Sequence, residues 1–96
     1  MQKPTVCRIA LVTVDPAKNN GAVEAPGVIV RTWSDTCVNV KVLNDGPAND
    51  WCTSVPFFQT RAELDAAREK REEQWREVNG DVAVPPFIAA CWPERV

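Results

Sequence analysis

The chain contains no histidine and no tyrosine among its 96 residues, and it has a single methionine. Histidine is the commonest general acid and base near neutral pH, so its absence excludes Ser-His-Asp and Cys-His catalytic arrangements. The four glycines are scattered, and they form neither a phosphate-binding loop nor a dinucleotide fingerprint. The sequence therefore predicts a binding protein rather than an enzyme, and it predicts no cofactor.

Long apolar runs are also absent. No stretch approaches the roughly 18 apolar residues of a membrane span, and the apolar core of a signal peptide does not follow the N-terminal segment. We therefore expect no membrane contact. The net charge is −2, so we expect no non-specific binding to nucleic acid, although total charge does not determine the field at one site.

Cysteines occur singly, with no C-x-x-C pair to suggest a zinc site. In a reducing compartment, isolated cysteines are usually buried free thiols that pack as small apolar residues. We expect this state for all four of them: Cys7, Cys37, Cys52 and Cys91. The sequence accordingly predicts no metal site.

Alternating apolar and polar residues predict five short strands. They cover residues 6–14, 28–33, 37–43, 51–58 and 87–92. Clusters of Asp, Asn, Gly and Pro separate them, and residues 18–27 are expected to form a loop. Pro56 restricts the fourth strand to an edge or a bulge, because proline cannot donate to a strand ladder.

A helix is predicted between the fourth and fifth strands. Thr60 and Glu63 have the spacing of a capping box, residues 61–78 contain neither glycine nor proline, and Asn79–Gly80 is a suitable stop. The apolar stripe of this segment is thin, which predicts a charged surface helix.

Together these elements predict a mainly β (α+β) fold in one domain over residues 1–96. The expected architecture is a small, curved, SH3-like antiparallel β-barrel of about five strands, built from residues 5–58 and 87–93. The helix over residues 61–78 is inserted before the last strand.

Tryptophan is abundant for a chain of this size, with four in 96 residues. Indole rings stack on nucleobases or anchor protein partners, and arginine offers planar donors to phosphate. The predicted ligand-binding residues are therefore Trp33, Trp51, Trp92, Arg8, Arg31 and Arg95. The alternative is that the indoles fill the core of a small domain.

Two terminal runs and two internal stretches share a pattern with other sequences. Residues 3–9 are similar to a Lys-Pro-Thr-Val-Gly-Arg-Ile run. Residues 92–95 are similar to the end of a Trp-x-Trp-Pro-Glu run, but the chain lacks the other tryptophan of that run, in the neighbourhood of Cys91. Residues 29–33 and 40–46 match the stretches Ile-Val-Arg-x-Trp and Val-x-Val-Leu-Asn-Asp-Gly. In these runs the chain resembles small uncharacterised bacteriophage proteins, although it has Cys7 where that group has glycine.

The resemblance implies a phage accessory protein in the cytoplasm of an infected bacterial host. Our first hypothesis is a counter-defence protein that sequesters a small nucleotide-derived immune signal in a pocket lined by tryptophan and arginine. The alternatives are a protein–protein inhibitor or adaptor that binds a host defence protein through the helix, and a small virion or assembly component. A homo-oligomer is also expected, because small sheets with free edges associate.

Overall fold

The computed structural model describes residues 2–47 and 49–93. Its elements, in chain order, are β1 (Ile9–Thr13), a 3-10 turn (Pro16–Lys18), β2 (Glu24–Ser34), β3 (Cys37–Val42), β4 (Asp50–Phe58), α1 (Arg61–Asn79) and β5 (Ala90–Cys91). The strands pair in the order β1-β2-β3-β4-β5 and close into a barrel through β1 and β5. The predicted five-strand barrel with one inserted helix is confirmed.

One of the strand pairs differs from the antiparallel expectation. Strands β4 and β5 are parallel, with Phe57 opposite Ala90, whereas the other four pairs are antiparallel. The helix explains the difference, because it carries the chain away from the end of β4 and a parallel pair needs a long crossover. Strand β5 pairs with β4 only at Phe57 and Phe58, so closure leaves most of β4 without a paired strand on that side. Oligomerisation stays a prediction.

Small aliphatic side chains fill the barrel. The buried cluster comprises Ala10, Val12, Val14, Ala25, Ile29, Val38, Val40, Val42, Val55, Phe57 and Ala90. Gly27 lies inside this cluster, where a Cβ atom would stand 2.7 Å from Cγ2 of Val12 and 3.4 Å from the carbonyl oxygen of Lys41. The close approach of β1, β2 and β3 therefore depends on the missing side chain at this position.

Strand β2 begins earlier than the sequence predicted. Residues 24–27 belong to it rather than to a loop, and Pro26 and Gly27 pair with Leu11 and Ala10. Proline lacks an N–H group, which makes it a poor strand residue in a sequence pattern. Its carbonyl oxygen still accepts a hydrogen bond from the backbone N–H of Leu43 at 2.9 Å, so the strand is held at this point.

Strand β5 is shorter than predicted. Before it, the side chain of Thr13 makes hydrogen bonds that backbone groups of a neighbouring strand would otherwise make. The hydroxyl of Thr13 donates to the carbonyl oxygen of Phe87 and accepts from the N–H of Ala89 at 3.0 Å. The backbone N–H of Thr13 also donates to the Ala89 carbonyl at 2.8 Å. Thr13 thus fixes the segment that leads into β5.

Helix α1 begins as predicted. The hydroxyl of Thr60 accepts from the N–H of Glu63 at 3.2 Å, and the Glu63 carboxylate accepts from the N–H of Gln59 at 3.2 Å. Leu64 is the one fully buried residue of the helix, and it packs with Ala89 and Cys91 in a second apolar cluster. The helix is therefore attached to the barrel near its first turn.

Arg61 strengthens that attachment. It forms ion pairs with Glu24 on β2 and with Asp65 on the next turn of the helix. The hydrogen bond to Glu24, and after it the one to Asp65, raise the pKa of Arg61. Toward its other end the helix leaves the barrel, and Val78 is 84% exposed.

The thiols differ in their surroundings. Cys91 is buried, and Cys37 and Cys52 are half-buried, but Cys7 is exposed, so the prediction of a buried thiol is wrong there. The backbone of Cys7 has a φ of 76°, in the left-handed region that favours glycine. Its N–H donates to the carbonyl oxygen of Ile29 at 2.8 Å, which keeps the residue in a turn with its side chain outside the core.

Within the part of the chain that the structure describes, no helix is both long enough and apolar enough to span a membrane.

Candidate ligand-binding face

Strands β2, β3 and β4 present an exposed surface on the outside of the barrel. In one row Val28 pairs with Lys41, and Lys41 pairs with Trp51; in the next row Arg31 pairs with Asn39. We call this surface the β2–β4 outer face and define it by Val28, Arg31, Trp33, Asn39, Lys41 and Trp51. The neighbouring residues of β3, Val38 and Val40, point into the core.

Three irregularities of strand pairing surround Asn39. Two lie between β2 and β3, where Val30 and Trp33 are extra residues, and the third lies between β3 and β4, next to Ser54. Ser54 has a φ of 52°, which suits a bulge. Bulges re-aim side chains and are common beside functional sites. Here they bring polar and aromatic groups from three strands toward one asparagine.

Asn39 connects these strands through its side chain. Its Oδ1 atom accepts hydrogen bonds from Nε1 of Trp33 at 2.9 Å and from the backbone N–H of Ser54 at 2.8 Å. Asn39 is only 6% exposed although it points outward, because the indole lies against it. The asparagine therefore fixes both the Trp33 ring and the bulge of β4.

Arg31 also holds Trp33, by stacking on its ring. The guanidinium carbon of Arg31 lies 3.9 Å from the centroid of the Trp33 ring, a stacking distance at which the cation is attracted to the ring. Even so, Trp33 is 55% exposed and Trp51 is 62% exposed. Two large indoles thus remain open to solvent, one of them in a fixed orientation.

The outer face is positively charged. Strand segments 28–34, 37–42 and 51–58 contain Arg31 and Lys41 but no aspartate or glutamate. Asp50, the first residue of β4, pairs with the core residue Val42 and lines a depression at the barrel mouth, which Asp15, Lys18 and Trp51 also line. The face therefore combines exposed aromatic rings with cations in a chain whose net charge is −2.

Cys52 lies beside that mouth. Burial raises the pKa of the Cys52 thiol, the nearby Asp50 carboxylate raises it further, and Lys18 lowers it. A raised pKa favours the protonated thiol, which is the poorer nucleophile. Cys52 packs against the core cluster.

Trp92, another predicted ligand residue, closes one end of the barrel. Its ring meets the core ring of Phe57 edge to face, with centroids 4.9 Å apart, and its Nε1 donates to the carbonyl oxygen of Gln2 at 3.0 Å. Arg8 lies over the same ring at 5.2 Å. Trp92 is half-buried against the main cluster, so it has the packing role that the sequence analysis gave as the alternative.

The predicted residues form separate groups. Arg31 meets Trp33 and Arg8 meets Trp92, but Trp51 lies at the start of β4, while Trp92 follows β5 beyond the level of Phe58. The seven residue steps along β4 from Trp51 to Phe58 separate these two ends of the barrel by about 20 Å. The indoles therefore do not converge on one pocket of the monomer, and Arg95 lies outside the described residues.

Sequence reasoning missed Asn39, Lys41 and Ser54. Asn39 alternates with valines in β3 like any solvent-facing strand residue, so its pattern resembles that of Lys41. No local signal identified Asn39, because an exposed indole N–H can donate to water and does not require a protein acceptor.

Residues 2–47 and 49–93 contain no group of three or more His, Cys, Asp or Glu side chains that could hold a metal ion. Comparison of the chain with family models, curated proteins and solved structures finds no match.

Proposed function

We propose that the protein is a non-catalytic binding protein that recognises a nucleotide-containing ligand through the β2–β4 outer face. The observation that carries the proposal is Trp33: an exposed indole fixed by Asn39 and stacked on Arg31. Exposed aromatic surface that is rigidly held marks interaction sites more often than isolated surface apolar residues do. Arg31 covers one face of the ring, so a base would stack on the opposite face, with its phosphate within reach of Arg31.

Charge favours an anionic ligand. Arg31 and Lys41 lie on the face, and its three strand segments lack carboxylates. Electrostatic attraction acts over a Debye length of about 8 Å at physiological ionic strength, so the local cations matter more to a bound phosphate than the net charge of the chain.

The proposed site differs from the enclosed pocket of the first hypothesis, which was lined by three indoles, because Trp92 lies at the end of the barrel. Ligand pockets usually bury most of a small ligand, whereas Trp33 and Trp51 lie on an open surface. A phage counter-defence role is a hypothesis that rests on the sequence resemblance alone.

A melting-temperature screen tests the proposal. Mononucleotides, cyclic dinucleotides and short oligonucleotides are added to the purified protein, since a ligand of the folded state raises the apparent stability. We expect a shift with at least one class, and its loss in Trp33→Ala. Trp75→Phe removes an indole from α1 and serves as the matched control, because it leaves the face intact. A shift that survives in Trp33→Ala would contradict the assignment to this face.

A second candidate function is binding of a protein partner through α1. Val78 is 84% exposed and Val82 is 60% exposed, and they lie beside Trp75, whose Nε1 donates to the Val82 carbonyl at 3.1 Å. This apolar end of a projecting helix favours a docking role. The substitution pair Val78→Asp and Val82→Asp would abolish partner binding or self-association in a sedimentation experiment, and unchanged association would exclude this role.

A further inference from the structure

We propose that the ligand of the β2–β4 outer face is a single-stranded oligonucleotide rather than a mononucleotide. In this arrangement separate bases stack on Trp33 and Trp51, and the connecting phosphates pass over Arg31 and Lys41. The inference rests on the proposed function and adds the length and class of the ligand.

The distance between the two indoles supports a ligand with several bases. Trp51 pairs with Lys41, and Trp33 lies beyond Arg31 on the far side of β3. Two strand spacings across the sheet and three to four residues along it separate their Cα atoms by about 15 Å. One planar base is no wider than an indole and cannot stack on both. A chain of nucleotides can place one base on each.

The order of side chains between the two indoles matches the alternation of bases and phosphates in a polynucleotide. Along the diagonal from Trp51 to Trp33 lie Lys41, then Asn39, then Arg31. Lys41 is thus the cross-strand partner of Trp51, and Arg31 stacks on Trp33. No aspartate or glutamate interrupts the three strand segments, and the nearest carboxylate in the chain to Trp51 is that of Asp50 at the barrel mouth. Aromatic platforms flanked by cations are how proteins hold single strands without reading their sequence.

The open shape of the face fits the same ligand. Trp33 and Trp51 are more than half exposed, which gives a mononucleotide too little enclosure for tight binding. An oligonucleotide gains affinity from repeated stacking along an open track. Double-stranded nucleic acid fits poorly, because its bases are already stacked on each other and cannot reach the indoles.

Base-edge recognition is weak on this face. The Oδ1 atom of Asn39 is already used by Trp33 and Ser54, and the remaining groups are cations and ring faces. We therefore expect similar affinity for thymidine and adenosine oligomers, since every base has a stacking face. This proposal departs from the expectation of no non-specific nucleic-acid binding that the net charge gave, because it rests on the local cations of one face.

The test measures the affinity of thymidine monophosphate and of fluorescent oligothymidylates of two, four and eight nucleotides at low salt. Affinity is expected to rise at least tenfold from the monophosphate to the tetramer. With two phosphate contacts, the logarithm of the association constant should fall with the logarithm of salt concentration with a slope of about −1.4. A hairpin duplex of matched length is expected to bind at least tenfold more weakly than the tetramer.

Variants separate the two stacking positions. Trp33→Ala and Trp51→Ala are each expected to weaken tetramer binding by about tenfold, in line with stacking contributions of about 1–3 kcal/mol per base. Trp33→Phe should retain part of the affinity, because it keeps a flat ring, and Trp75→Phe should retain all of it. Circular dichroism and melting temperature confirm that each variant is folded.

The outcomes distinguish the two proposals. Equal affinity for the monophosphate and the tetramer, with loss in Trp33→Ala, would overturn the oligonucleotide inference and leave the proposed function standing. No binding of any nucleotide at low salt would overturn both. Tetramer binding that is insensitive to Trp51→Ala would overturn the two-indole arrangement.

Discussion

The Oδ1 atom of Asn39 accepts the indole N–H of Trp33 at 2.9 Å, so that a side chain only 6% exposed orients one that is 55% exposed. The same oxygen accepts the backbone N–H of Ser54 at 2.8 Å. One asparagine therefore couples the strand irregularities of the barrel to the candidate binding surface. Two substitutions at this position separate its contribution to stability from its contribution to binding.

Replacing Asn39 by alanine removes the acceptor of both hydrogen bonds. We expect the free energy of unfolding to fall by about 1–2 kcal/mol and oligonucleotide affinity to fall as well, because the indole is no longer held. Asn39→Asp keeps an acceptor, so it should retain stability but weaken binding by adding a negative charge beside Arg31. Urea denaturation and binding titrations measure both effects. Equal affinity in Asn39→Asp and the wild type would contradict an anionic ligand.

Trp92 and Trp51 are expected to differ in how much each contributes to the free energy of unfolding. Trp92→Ala removes the ring that packs on Phe57 at the barrel end, so we expect a loss of at least about 2 kcal/mol of unfolding free energy. Trp51→Ala changes an exposed residue and should alter stability by less than about 0.5 kcal/mol. Denaturant unfolding of the two variants checks this contrast. Similar losses in both would mean that Trp51 is also part of the packed structure.

Cys7 holds a backbone conformation that favours glycine. Its φ is 76°, and a side chain in the left-handed region costs about 1–2 kcal/mol. Cys7→Gly is therefore expected to raise the unfolding free energy by about 0.5–1 kcal/mol after the entropy cost of glycine in the unfolded chain. Cys7→Ala is the control and should give no gain, because it keeps the Cβ atom. Equal melting temperatures for the glycine and alanine variants would show that the conformation costs nothing.

Gly27 allows β1 and β2 to approach. A Cβ atom there would lie 2.7 Å from Cγ2 of Val12, so Gly27→Ala should destabilise the barrel by about 1–3 kcal/mol through overpacking. Val12→Ala makes room at the cost of a cavity. Because the two residues touch, their effects should not add, and the double variant should be more stable than the sum of the single losses predicts. Additive losses in chemical denaturation would disprove the steric explanation.

The sequence supports the fold better than the site. The period-two pattern of β3 and the capping residues Thr60 and Glu63 carry local information, and the structure confirms both elements. The start of β2 was missed because Pro26 and Gly27 resemble a turn, while their place in the strand depends on contacts with Leu43 and Val12. Such contacts are made between residues far apart in the chain, so a local pattern does not contain them.

The candidate site shows the same division. Composition identifies Trp33 and Arg31 as residues of interest, and their spacing of two in one strand permits stacking. The role of Asn39 depends on bulges in two strand pairs, which shift the register and bring Trp33 and Ser54 to the same oxygen. The packing of Trp92 on Phe57 is not visible in the sequence, because a position at a strand end is the same whether the ring points inward or outward.

The most direct test of the central claim follows the four indole N–H signals by nuclear magnetic resonance during titration with a thymidine tetramer. Each signal is assigned with a single tryptophan-to-phenylalanine variant. The account predicts that the signals of Trp33 and Trp51 move together and saturate, while those of Trp75 and Trp92 stay in place. Saturable shifts confined to Trp75 or Trp92, or no shift at any indole, would contradict binding at the β2–β4 outer face.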